Sequence, residues 1–143
     1  MPDKILVVDD EPDILGLVHT VLKLKEYIVV DACNGEEALQ KTLAEMPDLV
    51  LLDIVMPGKS GLEVCKILKS QSRTEHIPVV LFTALGRDVD KRISAEAAAD
   101  GHFTKPFSPE ALVAEVKKHF DQARAGKFSK QLGVKHDKHE KCT

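Results

Sequence analysis

Residues 48–58, Asp-Leu-Val-Leu-Leu-Asp-Ile-Val-Met-Pro-Gly, place a short apolar run directly before a carboxylate and a turn. Four consecutive Leu and Val residues are typical of a strand that is buried on both faces, and Pro57-Gly58 would end it. We therefore predict that Asp53 lies at the carboxyl end of a central strand. Ligands of open α/β sheets bind at that edge, which makes Asp53 a candidate for chemistry. Taken alone, however, an Asp in this place is more commonly a turn former.

Four further strands are predicted around this central one. The apolar run at 5–8 ends abruptly in Asp9-Asp10-Glu11, and similar runs cover 27–32, 77–82 and 101–104. The run at 101–104 is short and is predicted to be an edge strand.

Helical spacing of apolar residues follows each predicted strand. The first helix is predicted from Pro12 to about Lys25, and the last opens at Ser108 with a proline at its first position. The helix at 88–99 is rich in alanine with few large apolar anchors, so we expect it to be the least firmly packed. The buried stripes predicted for the first two helices are Ile14, Leu17, Val18, Val21 and Leu22, and Ala38, Leu39, Thr42, Leu43 and Met46.

This alternation of five strands with five helices predicts an α/β fold, a doubly wound parallel sheet with helices on both faces. Residues 1–125 are predicted to form one domain. From residue 126 the periodicity fades, and the lysine-rich segment 126–143 is predicted to be a frayed tail. A metal site there is only weakly indicated, because His136 and His139 have no third ligand nearby.

The composition is that of a soluble globular protein. Of 143 residues, 43% are hydrophobic and 30% charged, and the net charge of -3 disfavours direct nucleic-acid binding. The three cysteines form no CxxC pair, so neither a zinc site nor a disulfide framework is indicated and a reducing cytoplasm is expected. No signal peptide or membrane-length apolar run is present in the sequence, so we expect no membrane association.

Polar residues follow four of the predicted strands, namely Asp9-Asp10, Asp53, Thr83 and Lys105. In a parallel sheet these strand ends lie on the same edge, so the side chains are expected to converge. Crowded carboxylates repel one another unless a cation joins them, and Mg2+ accepts such oxygen ligands. Each residue alone has an ordinary structural explanation as a turn former, helix cap or solvated charge. Together they indicate an acyl-phosphate site with a carboxylate nucleophile.

Four motifs in order and spacing, over residues 3 to 123, resemble the receiver domain of two-component response regulators, the CheY-like family. They are Val7-Val8-Asp9-Asp10-Glu11-Pro12, Leu51-Leu52-Asp53-Ile54-Val55-Met56-Pro57-Gly58, Phe82-Thr83-Ala84 and Lys105-Pro106-Phe107. The resemblance implies a flavodoxin-like sheet with strand order 2-1-3-4-5. It also implies that Asp53 is the phosphoacceptor and that Asp9, Asp10, Asp53 and the Val55 carbonyl hold Mg2+.

The same resemblance implies that Thr83 and Lys105 contact the phosphoryl oxygens and that the Lys105-Pro106 bond is cis. Thr83 and His102 would form the switch, although the family often has Tyr or Phe at the position of His102. Val55 and Leu85 occupy positions that tune hydrolysis of the phosphoryl group in the family, and neither can orient an attacking water.

We therefore expect a phosphorylation-dependent response regulator that receives its phosphoryl group from a histidine kinase or phosphotransfer protein. It would catalyse only its own phosphorylation and dephosphorylation and act as a monomer or weak dimer. No recognisable output domain follows within the chain, so we expect it to act by binding a downstream protein.

Three other classes fit the sequence less well. A haloacid-dehalogenase enzyme would need a second Asp at the position of Val55. In a flavodoxin-like electron carrier, Asp9-Asp10-Glu11 would repel the FMN phosphate. A dinucleotide-binding fold would need a GxGxxG motif after the first strand.

Overall fold

The computed structural model describes residues 3–83, 92, 95–105 and 107–131, and within them the chain forms five strands and four helices. The strands are β1 (Lys4–Val8), β2 (Ile28–Ala32), β3 (Leu49–Asp53), β4 (Val79–Thr83) and β5 (Gly101–Thr104). The helices are α1 (Pro12–Leu24), α2 (Gly35–Glu45), α3 (Gly61–Ser70) and α4 (Pro109–Gln131).

All five strands are parallel and lie in the order β2-β1-β3-β4-β5, which confirms the predicted sheet. The apolar run Leu49–Asp53 forms the central strand and is buried along its whole length. Its neighbours are the equally apolar β1 and β4. Because both faces of these strands are covered, each Leu or Val side chain that leaves water contributes roughly 1.5–3 kcal/mol to folding.

The sheet separates two hydrophobic cores, and successive strand residues alternate between them. Leu6 and Val8 of β1 face a core shared with α2 and α3, whereas Ile5 and Val7 face a core shared with α1 and α4. This sandwich of helices fixes the strands, and therefore fixes which residues reach the carboxyl edge of the sheet.

The helices begin in two different ways. Asn34, Ser60 and Ser108 each accept a hydrogen bond from the backbone N–H three residues further on, so α2, α3 and α4 start with side-chain caps. Helix α1 begins instead with Glu11 at the N-cap and Pro12 next to it, and the Glu11 side chain makes no capping hydrogen bond.

The predicted apolar stripes of α1 and α2 are wrong at three positions, because Leu17, Leu43 and Met46 are exposed. In α2 the inward face is narrow, and the buried Thr42 satisfies its hydroxyl by donating to the carbonyl of Ala38 at 2.7 Å. Met46 has a positive φ of 45° and ends the helix, so its side chain leaves the helical face.

Two sequence predictions extend beyond the described residues. Half of the helix predicted at 88–99 (residues 88–91, 93 and 94) and the tail from residue 132 lie outside them. Helix α4 continues through residues 126–131, past the predicted end of the domain at residue 125. In the described part of the chain, no helix combines the length and apolar composition needed to cross a bilayer.

Candidate functional site

Three carboxylates meet at the carboxyl edge of the sheet, where β1 and β3 end side by side. Asp9 follows β1 directly and Asp53 is the last residue of β3. One carboxylate oxygen each from Asp9, Asp10 and Asp53 lies within 4.8 Å of the other two. The parallel topology therefore brings together three acids that are up to 44 positions apart in the sequence.

Burial makes this cluster electrostatically unfavourable when all three acids are ionised. Asp9 and Asp53 are buried, whereas Asp10 is partly exposed. The pKa of Asp53 is raised to about 6, first because burial disfavours its charged form and second because Asp9 repels it. Lys105 and the backbone N–H of Val55 act in the opposite direction without cancelling the rise.

Lys105 supplies the positive charge of the cluster. Its ammonium Nζ lies 2.9 Å from Asp9 Oδ2, 3.4 Å from Asp53 Oδ2 and 3.5 Å from Glu11 Oε1. It also lies 5.1 Å from the centroid of the Phe82 ring, within the range of a cation–π contact. Burial by itself lowers the pKa of Lys105, but the hydrogen bonds and charges of Asp9 and Asp53 outweigh it and raise that pKa. Lys105 therefore remains charged.

Backbone groups hold the two buried carboxylates in place. The N–H of Glu11 donates to Asp9 Oδ1 at 2.9 Å, and the N–H of Val55 donates to Asp53 Oδ1 at 3.3 Å. Gly61 packs against the backbone of Asp53 so closely that a Cβ there would collide with the Asp53 carbonyl oxygen. Any other residue at position 61 would displace the end of β3, which carries the acid.

Thr83 and His102 lie on the two strands beyond β3. Thr83 ends β4 and its backbone pairs with that of Thr104, but the predicted direction of its hydroxyl lies outside what the structure describes. His102 is half-buried and pairs with Leu81, so it lies on the sheet face that α2 and α3 cover. Phe103 lies on the opposite face, where its ring stacks on Phe82 at 5.6 Å.

Two further predicted features fall on residues that the structure leaves undescribed. They are the role of Leu85 in hydrolysis and the cis bond before Pro106. Val55 is described, and this residue is 60% exposed at the edge of the cluster.

The acids fit a hard divalent cation. Each of the three offers a carboxylate oxygen, and Lys105, the one lysine close to them in the described part of the chain, cannot neutralise three negative charges. An oxygen-only donor set of few carboxylates, completed by water, is what Mg2+ accepts. Relief of the repulsion that raises the pKa of Asp53 would favour its binding.

Sequence reasoning assigned no site role to Glu11 or Phe82, although both contact Lys105. The sequence could have indicated a role for Glu11, because Glu is an uncommon residue at an N-cap and this one stands directly before Pro12. Nothing in the sequence indicated a site role for Phe82, because an aromatic residue in a buried strand is common.

Comparison with known proteins gives a consistent result. Residues 5–117 match the family described as the response regulator receiver domain. The chain is 44% identical over 117 residues to the alkaline phosphatase synthesis transcriptional regulatory protein PhoP of Bacillus subtilis (strain 168), covering 82% of this chain and 48% of that protein. It is 42% identical over 132 residues to the probable transcriptional regulator ycf27 of Porphyra purpurea, covering 92% of this chain and 52% of that protein.

Among solved structures, the chemotaxis protein CheY4 of Vibrio cholerae superposes with a TM-score of 0.78 at 30% identity, covering 82% of this chain and 98% of that one. The chain spans about half the length of the curated relatives it matches.

Proposed function

The chain belongs to the response regulator receiver domain family, and we propose that it is a phosphorylation-dependent switch in which Asp53 accepts the phosphoryl group. The observation that carries this proposal is the cluster of Asp9, Asp10 and Asp53 around Lys105 at the carboxyl edge of the sheet. The donor would be a histidine kinase or a phosphotransfer protein.

In the proposed reaction, an Asp53 carboxylate oxygen attacks the phosphorus of a phosphohistidine. An O–P bond forms while the N–P bond breaks, and the imidazole leaves with the electron pair of that bond and ends neutral after taking up a proton. The nucleophile must be ionised, and a pKa of about 6 leaves most of Asp53 charged at neutral pH. The raised pKa also makes this carboxylate more basic than an ordinary Asp.

Asp9, Asp10, Asp53 and the Val55 carbonyl would hold Mg2+. When bound, the metal supplies positive charge that offsets the negative oxygens of the phosphoryl group. Lys105, which contacts Asp9 and Asp53 now, would donate to a phosphoryl oxygen after transfer. The Thr83 hydroxyl is proposed as a second donor to those oxygens.

Phosphorylation can be tested by mass spectrometry of the intact chain after treatment with acetyl phosphate and Mg2+. We expect one added phosphoryl group that hydroxylamine removes, as it does from acyl phosphates. Asp53→Asn should abolish it, whereas Asp100→Asn, at the opposite edge of the sheet, should not. A phosphoryl group that persists in Asp53→Asn would show that the acceptor is another residue.

The lifetime of the phosphoryl group should be long, because the exposed Val55 offers no polar atom to align water. We predict that Val55→Asn shortens this lifetime about fivefold, since one aligning hydrogen bond contributes about 1 kcal/mol. The decay of phosphorylated protein after donor removal measures it. Leu24→Asn, on an exposed residue of α1, is the matched control, and an equal decay rate in the Val55 variant and the wild type would contradict the prediction.

The switch is proposed to pass from Thr83 to His102. Phosphorylation adds negative charge and acceptor oxygens that attract the Thr83 hydroxyl, and the half-buried ring of His102 would turn inward in response. Amide chemical shifts recorded with the phosphoryl mimic beryllofluoride should change across residues 88 to 120. In Thr83→Ala the changes should stay within the pocket, and the same confinement in the wild type would contradict this route.

Under this proposal the chain catalyses only the gain and loss of its own phosphoryl group and acts by binding a downstream protein. A cytoplasmic location, a monomeric or weakly dimeric state and the absence of direct nucleic-acid binding stay predictions. The named relatives that regulate transcription are about twice as long as the matched segment.

A further inference from the structure

Glu11 adds an exposed carboxylate to the partners of Lys105. The ammonium group of Lys105 has three carboxylate partners, of which Asp9 and Asp53 are buried. The third, Glu11, has a side chain that is 63% exposed, while the Lys105 side chain is only 12% exposed. A small molecule that reaches Lys105 therefore comes within a few ångströms of the Glu11 carboxylate.

The position of Glu11 in α1 supports a role outside the helix. Asn34, Ser60 and Ser108 cap the other three described helices with their side chains. Glu11 occupies the same N-cap position in α1 but makes no capping bond, and its Oε1 lies 3.5 Å from Lys105 Nζ instead. The N-cap of α1 is thus occupied by a residue type that seldom caps helices, and its carboxylate pairs with Lys105.

Among the described residues, three carboxylates pair with the Lys105 ammonium group at this edge, and Asp10 adds a fourth carboxylate beside Asp9 and Asp53. Under the proposed function the phosphoryl group must enter here, and a free phosphodonor brings its own negative charge. We propose that Glu11 is a specificity-determining residue that disfavours small anionic phosphodonors in proportion to their charge. This inference rests on the proposed function and deepens it, because the favoured donor is then a protein phosphohistidine whose basic neighbours offset the charge of Glu11.

The expected effect follows from the exposure of Glu11. Across several ångströms of water at low salt, one unit charge alters the local concentration of a singly charged ion roughly threefold. For a doubly charged donor the factor is about tenfold, because the interaction energy doubles. Salt reduces both factors, since the Debye length is only about 10 Å at 0.1 M ionic strength.

Two probes of different charge test the inference at neutral pH and saturating Mg2+. Acetyl phosphate is a dianion that transfers its phosphoryl group by breaking an O–P bond, with acetate as the leaving group. Phosphoramidate is a monoanion that breaks an N–P bond and releases ammonia. We expect Glu11→Gln to increase the rate of Asp53 phosphorylation about tenfold with acetyl phosphate and about threefold with phosphoramidate at low salt, and both gains to shrink in high salt.

Two further variants separate charge from structure. Glu11→Asp keeps the negative charge and should retain the wild-type ratio of the two donor rates. Glu45→Gln removes another exposed, ion-paired glutamate, the partner of Lys4, which lies far from the site. This control should leave both donor rates unchanged. A change in helix capping alone would alter both donor rates by the same factor, and that factor would not depend on the salt concentration.

Failure of this inference is distinguishable from failure of the proposed function. If neither donor phosphorylates the wild type or any variant on Asp53, the proposed function is wrong and this inference falls with it. If Asp53 is phosphorylated but Glu11→Gln leaves the ratio of the two donor rates and its salt dependence unchanged, only the role of Glu11 is overturned.

Discussion

The two edges of the sheet pair their charges differently. At the amino edge, the carboxylate of Asp100 accepts hydrogen bonds from Lys69 Nζ and the Val79 N–H, each at 2.8 Å. Lys4 likewise pairs through Nζ with Glu45 at 3.1 Å. In these pairs each carboxylate has a donor or cation of its own.

At the carboxyl edge, Asp9, Asp53 and Glu11 instead share the single ammonium group of Lys105. The ionised form of Asp53 is disfavoured there, as its raised pKa shows. Charges at the amino edge therefore hold elements together, whereas those at the carboxyl edge would, under the proposed function, bind an additional cation. The difference separates a structural role for charge from a functional one.

The largest effect that would test this difference is expected from Lys105→Met. Removing the shared cation leaves Asp9 and Asp53 buried without a positive partner among the described residues. The free energy of unfolding in metal-free buffer should therefore fall by about 3 kcal/mol. Urea denaturation measures it.

Lys69→Met is the matched control for that variant, because Lys69 at 11% is as little exposed as Lys105 at 12%. Asp100 keeps the Val79 N–H as a donor, so we expect a loss of only about 1 kcal/mol. Equal losses of unfolding free energy in the two lysine variants would contradict the proposed difference between the edges.

The next effect is the response to Mg2+. At a concentration one hundred times its Kd, Mg2+ should stabilise the wild type by about 2.7 kcal/mol, and Asp10→Asn should lose most of this gain. Thermal unfolding with and without Mg2+ measures it, and Asp100→Asn at the amino edge should respond like the wild type. An unchanged Tm of the wild type on adding Mg2+ would exclude a metal site in this cluster.

The smallest effect is expected at the exposed amino-edge pair. Lys4→Met removes an ion pair with Glu45 whose side chains are both partly solvated, so the free energy of unfolding should change by less than about 1 kcal/mol. The Mg2+ response of this variant should match that of the wild type. A loss as large as that of Lys105→Met would mean that charge pairing at both edges is equally structural.

Much of the fold could be predicted from the spacing of apolar residues and from the turn and polar residues that end each apolar run. The apolar runs that end at Val8 and Asp53 gave strands close to the observed ones, because strands buried on both faces need no alternation. Leu17 and Leu43 were wrongly assigned to the core. Helical spacing predicts which face of a helix is buried, but it does not predict how much of that face the neighbouring sheet covers.

The sequence by itself determined which residues reach the carboxyl edge of the sheet. Parallel strands all end on the same side, so Asp9, Asp53 and Lys105 follow from strand ends alone. Only the tertiary structure decided how these groups pair. Lys105 is 96 positions from Asp9, and its contact with Glu11 depends on the turn into α1 and on side-chain burial. The raised pKa of Asp53 has the same origin, because desolvation and repulsion exist only once packing has removed water from the cluster.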